Sequence, residues 1–245
     1  MRYTKNIRTL LSLSIGLAVM AGCDSTNSTQ GDLSTASLSF QVPANTIMQK
    51  TTADTLLRIE SAKIYLRSIQ FHSGLEDSSE HEMMDDDSIA VKSDPTVVNL
   101  DLTGNTNSVV VTEIPSGTYK RVSFRLHKPE NSETVLDSDF VEGTGGNQRF
   151  SVVVQGSYDG INFTYKSRRT ANQHVDIEPP IVITDTVTFV NVTMLVDVNS
   201  WFMDSDSTML NPSDSSNFTE IDNAIVRSFK AIKDNNHNGC RDDED

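Results

Sequence analysis

Short apolar runs of period two, turn signals between those runs, and one late stretch of helical spacing together predict a mainly β protein. The expected architecture is an antiparallel β-sandwich with one C-terminal amphipathic helix. The 245 residues suit one domain with appendages: a leader at 1–22, a tether at 23–37, the sandwich at 38–202, and a polar loop, helix and acidic tail at 203–245.

The chain opens MRYTKNIRTLLSLSIGLAVMAGCDS. Arg2, Lys5 and Arg8 form a basic n-region. An apolar run follows at 10–20, then small residues lead to Cys23. The run is too short to cross a bilayer, which needs about 20 residues. Ala21-Gly22-Cys23 is similar to a bacterial lipobox, which implies cleavage before Cys23 and acylation of that cysteine. The chain is thus expected to be lipid-anchored to a bacterial envelope membrane. Asp24 bears on inner versus outer membrane only in some lineages, so the membrane stays open. DSTNSTQGDLSTAS, residues 24–37, reads as a flexible tether.

The strands follow in order. In LSFQV, Leu38, Phe40 and Val42 share one face. In LLRIESAKIYLRSIQF, Ile64 and Leu66 have one parity and Ile69 and Phe71 the other, which predicts a bulge. VVNLDL comes next, then VVVTEIPSGTYKRVSFRLH. There Pro115-Ser116-Gly117 marks a turn, and Val122, Phe124 and Leu126 alternate with Arg121, Ser123 and Arg125. RFSVVVQGSYDGINFTYKS is a hairpin signal, with Asp159-Gly160 suited to a type I′ turn. Phe150, Val152 and Val154 are assigned to one face, and Ile161, Phe163 and Tyr165 to another. Pro179-Pro180 is expected to break VDIEPPIVI. In TVTFVNVTMLVDVNSWF, Val190, Val192, Met194, Val196 and Val198 alternate. FTEIDNAIVRSFKAIKD then places Ile221, Ile225, Phe229 and Ile232 at helical spacing, with Thr219 and Asp222 as a capping box.

The formal charge is −14, from 34 acids and 20 bases. Removing the three bases of the leader leaves 17. That balance disfavours nucleic acid, which is held through Lys and Arg, and docking of the protein surface on anionic lipid. Cations, basic partners or solubility fit better. The cysteines are Cys23 and Cys240. With Cys23 lipidated no internal disulfide can form.

DNNHNGCRDDED carries the clearest chemistry. Asp234, Asn236 and Asn238 alternate, Gly239 follows, and Asp242 and Asp245 stand three and six residues later. With the backbone carbonyl of Cys240 these positions fit 1, 3, 5, 7, 9 and 12 of a calcium loop, with glycine at 6. Calcium takes six to eight hard oxygens, and glycine permits the turn that folds them inward. No second helix follows, so the segment is similar to a single calcium repeat of thrombospondin type 3 or dockerin modules. The expected affinity is in the weak range of extracellular modules, about 10⁻⁴–10⁻³ M.

HSGLEDSSEHEMMDDDS, residues 72–88, supplies a second cluster. His72, His81, Met83 and Met84 could offer nitrogen and thioether ligands to copper, or the acids a hard cation. His127 and His174 read as surface residues at strand ends, and Arg168-Arg169 as charge balance. No nucleophile elbow, phosphate loop or paired metal histidines occur, so an enzyme is not expected.

VVNLDLTG, EIPSGTYKRVSFRLHKPE, VVVQGSYDGINFTYKS, LVDVNSWF and the helix leading to DNNHNG, taken together, resemble a group of bacterial envelope lipoproteins, the domain of unknown function 4382 family. The resemblance covers about residues 38–202. It implies a transthyretin-like or carbohydrate-binding-like sandwich with no established activity. A fainter likeness, to periplasmic copper-binding proteins with a Gly-Thr-Tyr strand, lacks their tryptophan-rich site. The expected function is non-enzymatic, binding or structural, with an envelope protein or a glycan as partner. The alternative is a periplasmic protein that handles copper or another divalent cation through residues 72–88.

Overall fold

A computed structural model describes residues 33–43, 57–73, 88–92 and 94–242. All lie in the compact unit Gly31–Asp245. The strands are β1 (Ser34–Gln41), β2 (Leu57–His72), β3 (Ser88–Lys92), β4 (Thr96–Asn99), β5 (Asn107–Ile114), β6 (Gly117–Leu126), β7 (Val141–Glu142), β8 (Gln148–Arg149), β9 (Val152–Tyr158), β10 (Ile161–Ser167), β11 (Ala171–Ile183), β12 (Phe189–Val196) and β13 (Phe229–Lys233). One α-helix, α1 (Phe218–Arg227), precedes β13. The mainly β expectation with one late helix is what the fold shows.

Eleven strands form one curled sheet in the order β10-β9-β2-β6-β11-β13-β12-β1-β5, with β3 and β4 alongside β2. β7 and β8 form a separate short ladder. The sheet is mixed rather than purely antiparallel. β1 runs parallel to β12, and β11 parallel to β13. A parallel neighbour needs a crossover, which period-two patterning within one strand cannot report.

β2 shows the bulge its parity switch predicts. Ser68 has φ 56°, and the register with β6 slips between Arg67 and Gln70. Ile64, Leu66, Ile69 and Phe71 all remain buried, because the bulge rotates the second half of the strand back towards the core. The Asp159-Gly160 turn has both residues at positive φ, as a type I′ turn requires. Its hairpin pairs Tyr158 with Ile161. Pro115-Ser116 makes a corner, not a hairpin. β5 pairs with β1, whereas β6 pairs with β2 and β11. The Tyr119 hydroxyl donates to the Pro115 carbonyl across that corner at 2.9 Å.

Two strand readings change. Pro179-Pro180 does not break β11. The ladder with β6 lapses between Asp176 and Ile181, and in that gap Ile177 and Glu178 pair with β13 instead. Proline lacks the donor a ladder needs, so one side of the strand changes partner while the chain stays extended. Phe150 does not share a face with Val152 and Val154. It precedes β9 and packs with Tyr65, Phe140 and Val153 in a small second cluster.

The main core joins both halves of the sheet around Phe40, Leu66, Phe124, Val192, Trp201 and Phe202. α1 seals it with Ile221 and Ile225. The helix is shorter than its sequence stripe predicts. It stops at Arg227, where the Ser228 hydroxyl turns back to the Ile225 carbonyl (2.7 Å) and accepts from the Trp201 indole (2.7 Å). Phe229 to Lys233 then run as a strand between β11 and β12. The capping box is also replaced. The turn Ser215–Asn217 leads into the helix before Thr219, and Asp222 accepts from the hydroxyls of Tyr165 (2.7 Å) and Ser167 (2.6 Å).

Candidate functional site

The 234–242 loop leaves the end of β13, so a strand, not a helix, delivers its first aspartate. Asp234 is fully buried. One carboxylate oxygen accepts from the Asn238 N–H (3.0 Å). The other accepts from the Gly239 N–H (3.0 Å) and the Thr193 hydroxyl (2.7 Å). The Asn236 side-chain oxygen accepts from the Asn238 N–H at 3.0 Å, and that of Asn238 from the Cys240 N–H at 2.7 Å. Asp242 closes the loop, accepting from the Asn235 N–H (2.8 Å) while its own N–H donates to the Lys233 carbonyl (3.0 Å).

Backbone torsions explain the residue choice. Gly239 has φ 74°, and His237 has φ 58°. Left-handed backbone costs a residue with a Cβ about 1–2 kcal/mol, so glycine is the natural occupant at 239. Space reinforces this, since a Cβ there would run into the Gln41 carboxamide.

The loop seats on a polar floor. Asn191 and Thr193 on β12, and Ser37 and Ser39 on β1, are buried. The Asn191 side-chain oxygen accepts from Ser37 (2.5 Å) and Ser39 (3.0 Å). Its amide nitrogen donates to Thr193 (2.9 Å) and to the Asp234 carbonyl (2.8 Å). These residues alternate with Leu38, Phe40, Val190 and Val192 and so lie on the opposite strand face, yet they are buried too. The only clue to their burial is their chemistry: short hydroxyl and amide side chains that satisfy one another.

A second loop adjoins. Asp101 accepts from the Thr103 hydroxyl and N–H and from the Asn105 amide, which together hold its carboxyl below the usual range. The Gln41 amide donates to the Gly104 carbonyl (2.7 Å), and Thr106 to the His237 carbonyl (3.1 Å), tying the two loops together. The sequence signal for this loop was D-x-T-G-N, a fainter version of the D-x-N-x-N-G pattern.

The described part of the loop offers five donors to a hard cation: the carboxylates of Asp234 and Asp242, the amide oxygens of Asn236 and Asn238, and the Cys240 carbonyl. The Asp234 oxygen that accepts only from the Asn238 N–H, and the Asn236 and Asn238 amide oxygens, each keep a lone pair beyond the hydrogen bond they accept. The described residues contain no group of three or more His, Cys, Asp or Glu poised to hold a metal. The loop's donors mix carboxylate, amide and backbone oxygens, a hard-oxygen set of the kind calcium takes. Asp245 lies outside the described residues. Cys240 is exposed and unpaired by disulfide.

Of the second cluster, His72 is buried and its Nε2 lies 2.6 Å from the Ser123 hydroxyl. His81, Met83, Met84 and the lipidation candidate Cys23 lie outside the described residues. His174 is exposed as expected. His127 is not a surface residue. It is 3% exposed, with Nε2 2.7 Å from Glu133, because the segment after β6 folds back over it. No family model, no curated protein and no solved structure matches the chain.

Proposed function

We propose that the chain is an exported, lipid-anchored envelope lipoprotein of sandwich type with a non-enzymatic binding or structural role. In this reading a calcium ion in the 234–242 loop fastens the C-terminal segment to the sheet. The leader with its lipobox-like cysteine and the resemblance to the 4382 family support the envelope assignment.

The observation that carries the calcium reading is Asp234. It is a wholly buried carboxylate whose partners are three hydrogen-bond donors and, among the described residues, no cation. Hydrogen bonds offset its desolvation but leave the charge unneutralised. A divalent ion supplies the missing charge, and the neighbouring amide and backbone oxygens complete a hard-oxygen set. The ion acts as a clip between the end of β13 and β12, not as a catalyst.

Thermal unfolding with and without calcium tests this. At ten times its Kd, calcium should add about 1.4 kcal/mol, a Tm rise of roughly 3–5 °C for a chain of this size. The Asp242→Asn variant should lose most of that rise. An identical Tm in chelator and in millimolar calcium would remove the ion from the function. Mass spectrometry of Cys23 tests the anchor separately, and an unmodified thiol there would end that part of the assignment.

A further inference from the structure

Residues 128–131, the segment 147–149 and Arg168 enclose a cleft of about 340 Å³ on the side of the molecule built around His127. Three cations line it: Lys128, Arg149 and Arg168. This is unexpected in a chain with formal charge −14. Some cations elsewhere meet carboxylates, as Lys63 meets Asp137 and Asp139, Arg67 meets Glu133, and Arg121 meets Asp176, and others such as Arg125 and Lys230 meet none among the described residues; what sets this cleft apart is that three cations converge on it. Among the described residues, none of the three cleft cations forms an ion pair.

The two guanidiniums are nonetheless held in place. Arg149 donates from Nε to the Gly146 carbonyl (2.7 Å), and from its terminal nitrogens to the carbonyls of Glu133 and Asn131 (3.3 Å each). Three of its five N–H donors are used on neutral acceptors, and two remain. Arg168 donates once, to the Gln148 side-chain oxygen at 2.7 Å, and lies 5.5 Å from the centre of the Phe150 ring. Four of its donors remain. The opposite wall is also fixed. The Glu133 carboxylate accepts from the Glu130 N–H (2.7 Å) and from His127, which shapes the 128–133 turn. Orientation is thus supplied by neutral groups, and the positive charge is left over.

We propose that this cleft binds the phosphate of a phosphorylated sugar. Guanidinium forks match phosphate oxygens in pairs, and an ammonium adds a point charge. The volume suits one sugar unit. The amides of Asn147 and Gln148 supply donors and acceptors for hydroxyl groups, and the Glu130 carboxylate, which also lines the cleft, can accept a hydrogen bond from one of them. The site stands apart from the calcium loop, and its test does not depend on that reading.

Isothermal titration of the full chain with glucose 6-phosphate, inorganic phosphate and glucose tests the proposal. Glucose 6-phosphate should bind saturably and at least about tenfold more tightly than glucose. The double variant Lys128→Gln/Arg168→Gln should weaken it about tenfold or more while leaving the melting curve unchanged, since both side chains are exposed. Absence of saturable binding at about 10 mM, or unchanged affinity in the double variant, would overturn the proposal. Inorganic phosphate binding as tightly as glucose 6-phosphate would strike the sugar from it. Capture by vesicles carrying monophosphoryl lipid A, but not by phosphatidylcholine vesicles, assigns the phosphate to a lipid headgroup. Binding of the soluble sugar phosphate without capture assigns it to a free ligand.

Discussion

Lys63 projects from β2 between Asp137 and Asp139, 2.7 Å from each. The hydrogen bond to Asp137, then that to Asp139, raises the lysine pKa above 10.5. The same bond, helped by the Asp139 N–H, holds Asp137 below 3.8. The signs fix two pH limits. A depressed carboxylate contributes stability above its unfolded pKa and loses it as pH falls through the folded one, so this contribution fades below about 3.8. A raised lysine contributes below its unfolded pKa and loses that as pH rises through the folded value, beyond 10.5. In Lys63→Met, melting temperature should fall less steeply than in the unaltered chain at both extremes. Parallel pH profiles for the two proteins would show that the triad contributes nothing measurable. The spacing of Lys63 from Asp137 in sequence gave no hint of the pairing. It depends on the 135–140 segment folding across β2, and tertiary ion pairs leave no local pattern.

The docking of α1 on the β9–β10 hairpin shows what local periodicity can and cannot report. Ile221 and Ile225 are buried as their spacing predicts. The polar half of the contact was misread, since Asp222 looked like a cap yet serves the hairpin. Burial, then Asp222, pushes the Tyr165 phenol far above its usual range, so it stays a donor throughout the working pH range. Asp222→Ala leaves that hydroxyl only the Phe218 carbonyl, 3.4 Å away, and should cost about 1–3 kcal/mol. Tyr165→Phe in the same background should recover part of the loss, because both partners are then gone. Additive effects in urea unfolding of the two single variants and the double variant would mean that the bond does not hold helix to hairpin. Phe229 and Ile232 were misassigned for a related reason. A stripe at i, i+4, i+8 and i+11 is compatible with a helix, and the alternation of Phe229 and Ala231 is too short to compete. Only the places left between β11 and β12 decide the matter.

At the scale of the molecule, that five-residue strand closes the sheet. Among the described residues, the hydrogen-bonded path from the β10-β9-β2-β6-β11 half to the β12-β1-β5 half passes through β13 alone. Its hold on β11 is only two residue pairs, Ile177 with Ala231 and Glu178 with Ile232, whereas its ladder with β12 spans five. Phe229 meets Phe124 of the far half edge to face, with ring centres 5.2 Å apart. The sequence shows the strands on either side but treats everything after Phe202 as an addition to a finished sandwich. The extended, prolinaceous stretch of β11 that receives β13 reads as a break, so the vacant place is invisible. A chain ending at Ser228 therefore should not behave as a sandwich lacking a tail. It would lose the seam of the sheet, the Phe124–Phe229 contact and the Asp234 anchor on Thr193. Circular dichroism melting should show no cooperative transition for that truncation. A chain ending at Lys233 keeps the strand but not the loop and should still melt cooperatively, though at a lower temperature and without any response to calcium. Cooperative unfolding of the Ser228 truncation near the original temperature would return β13 to the status of an appendage.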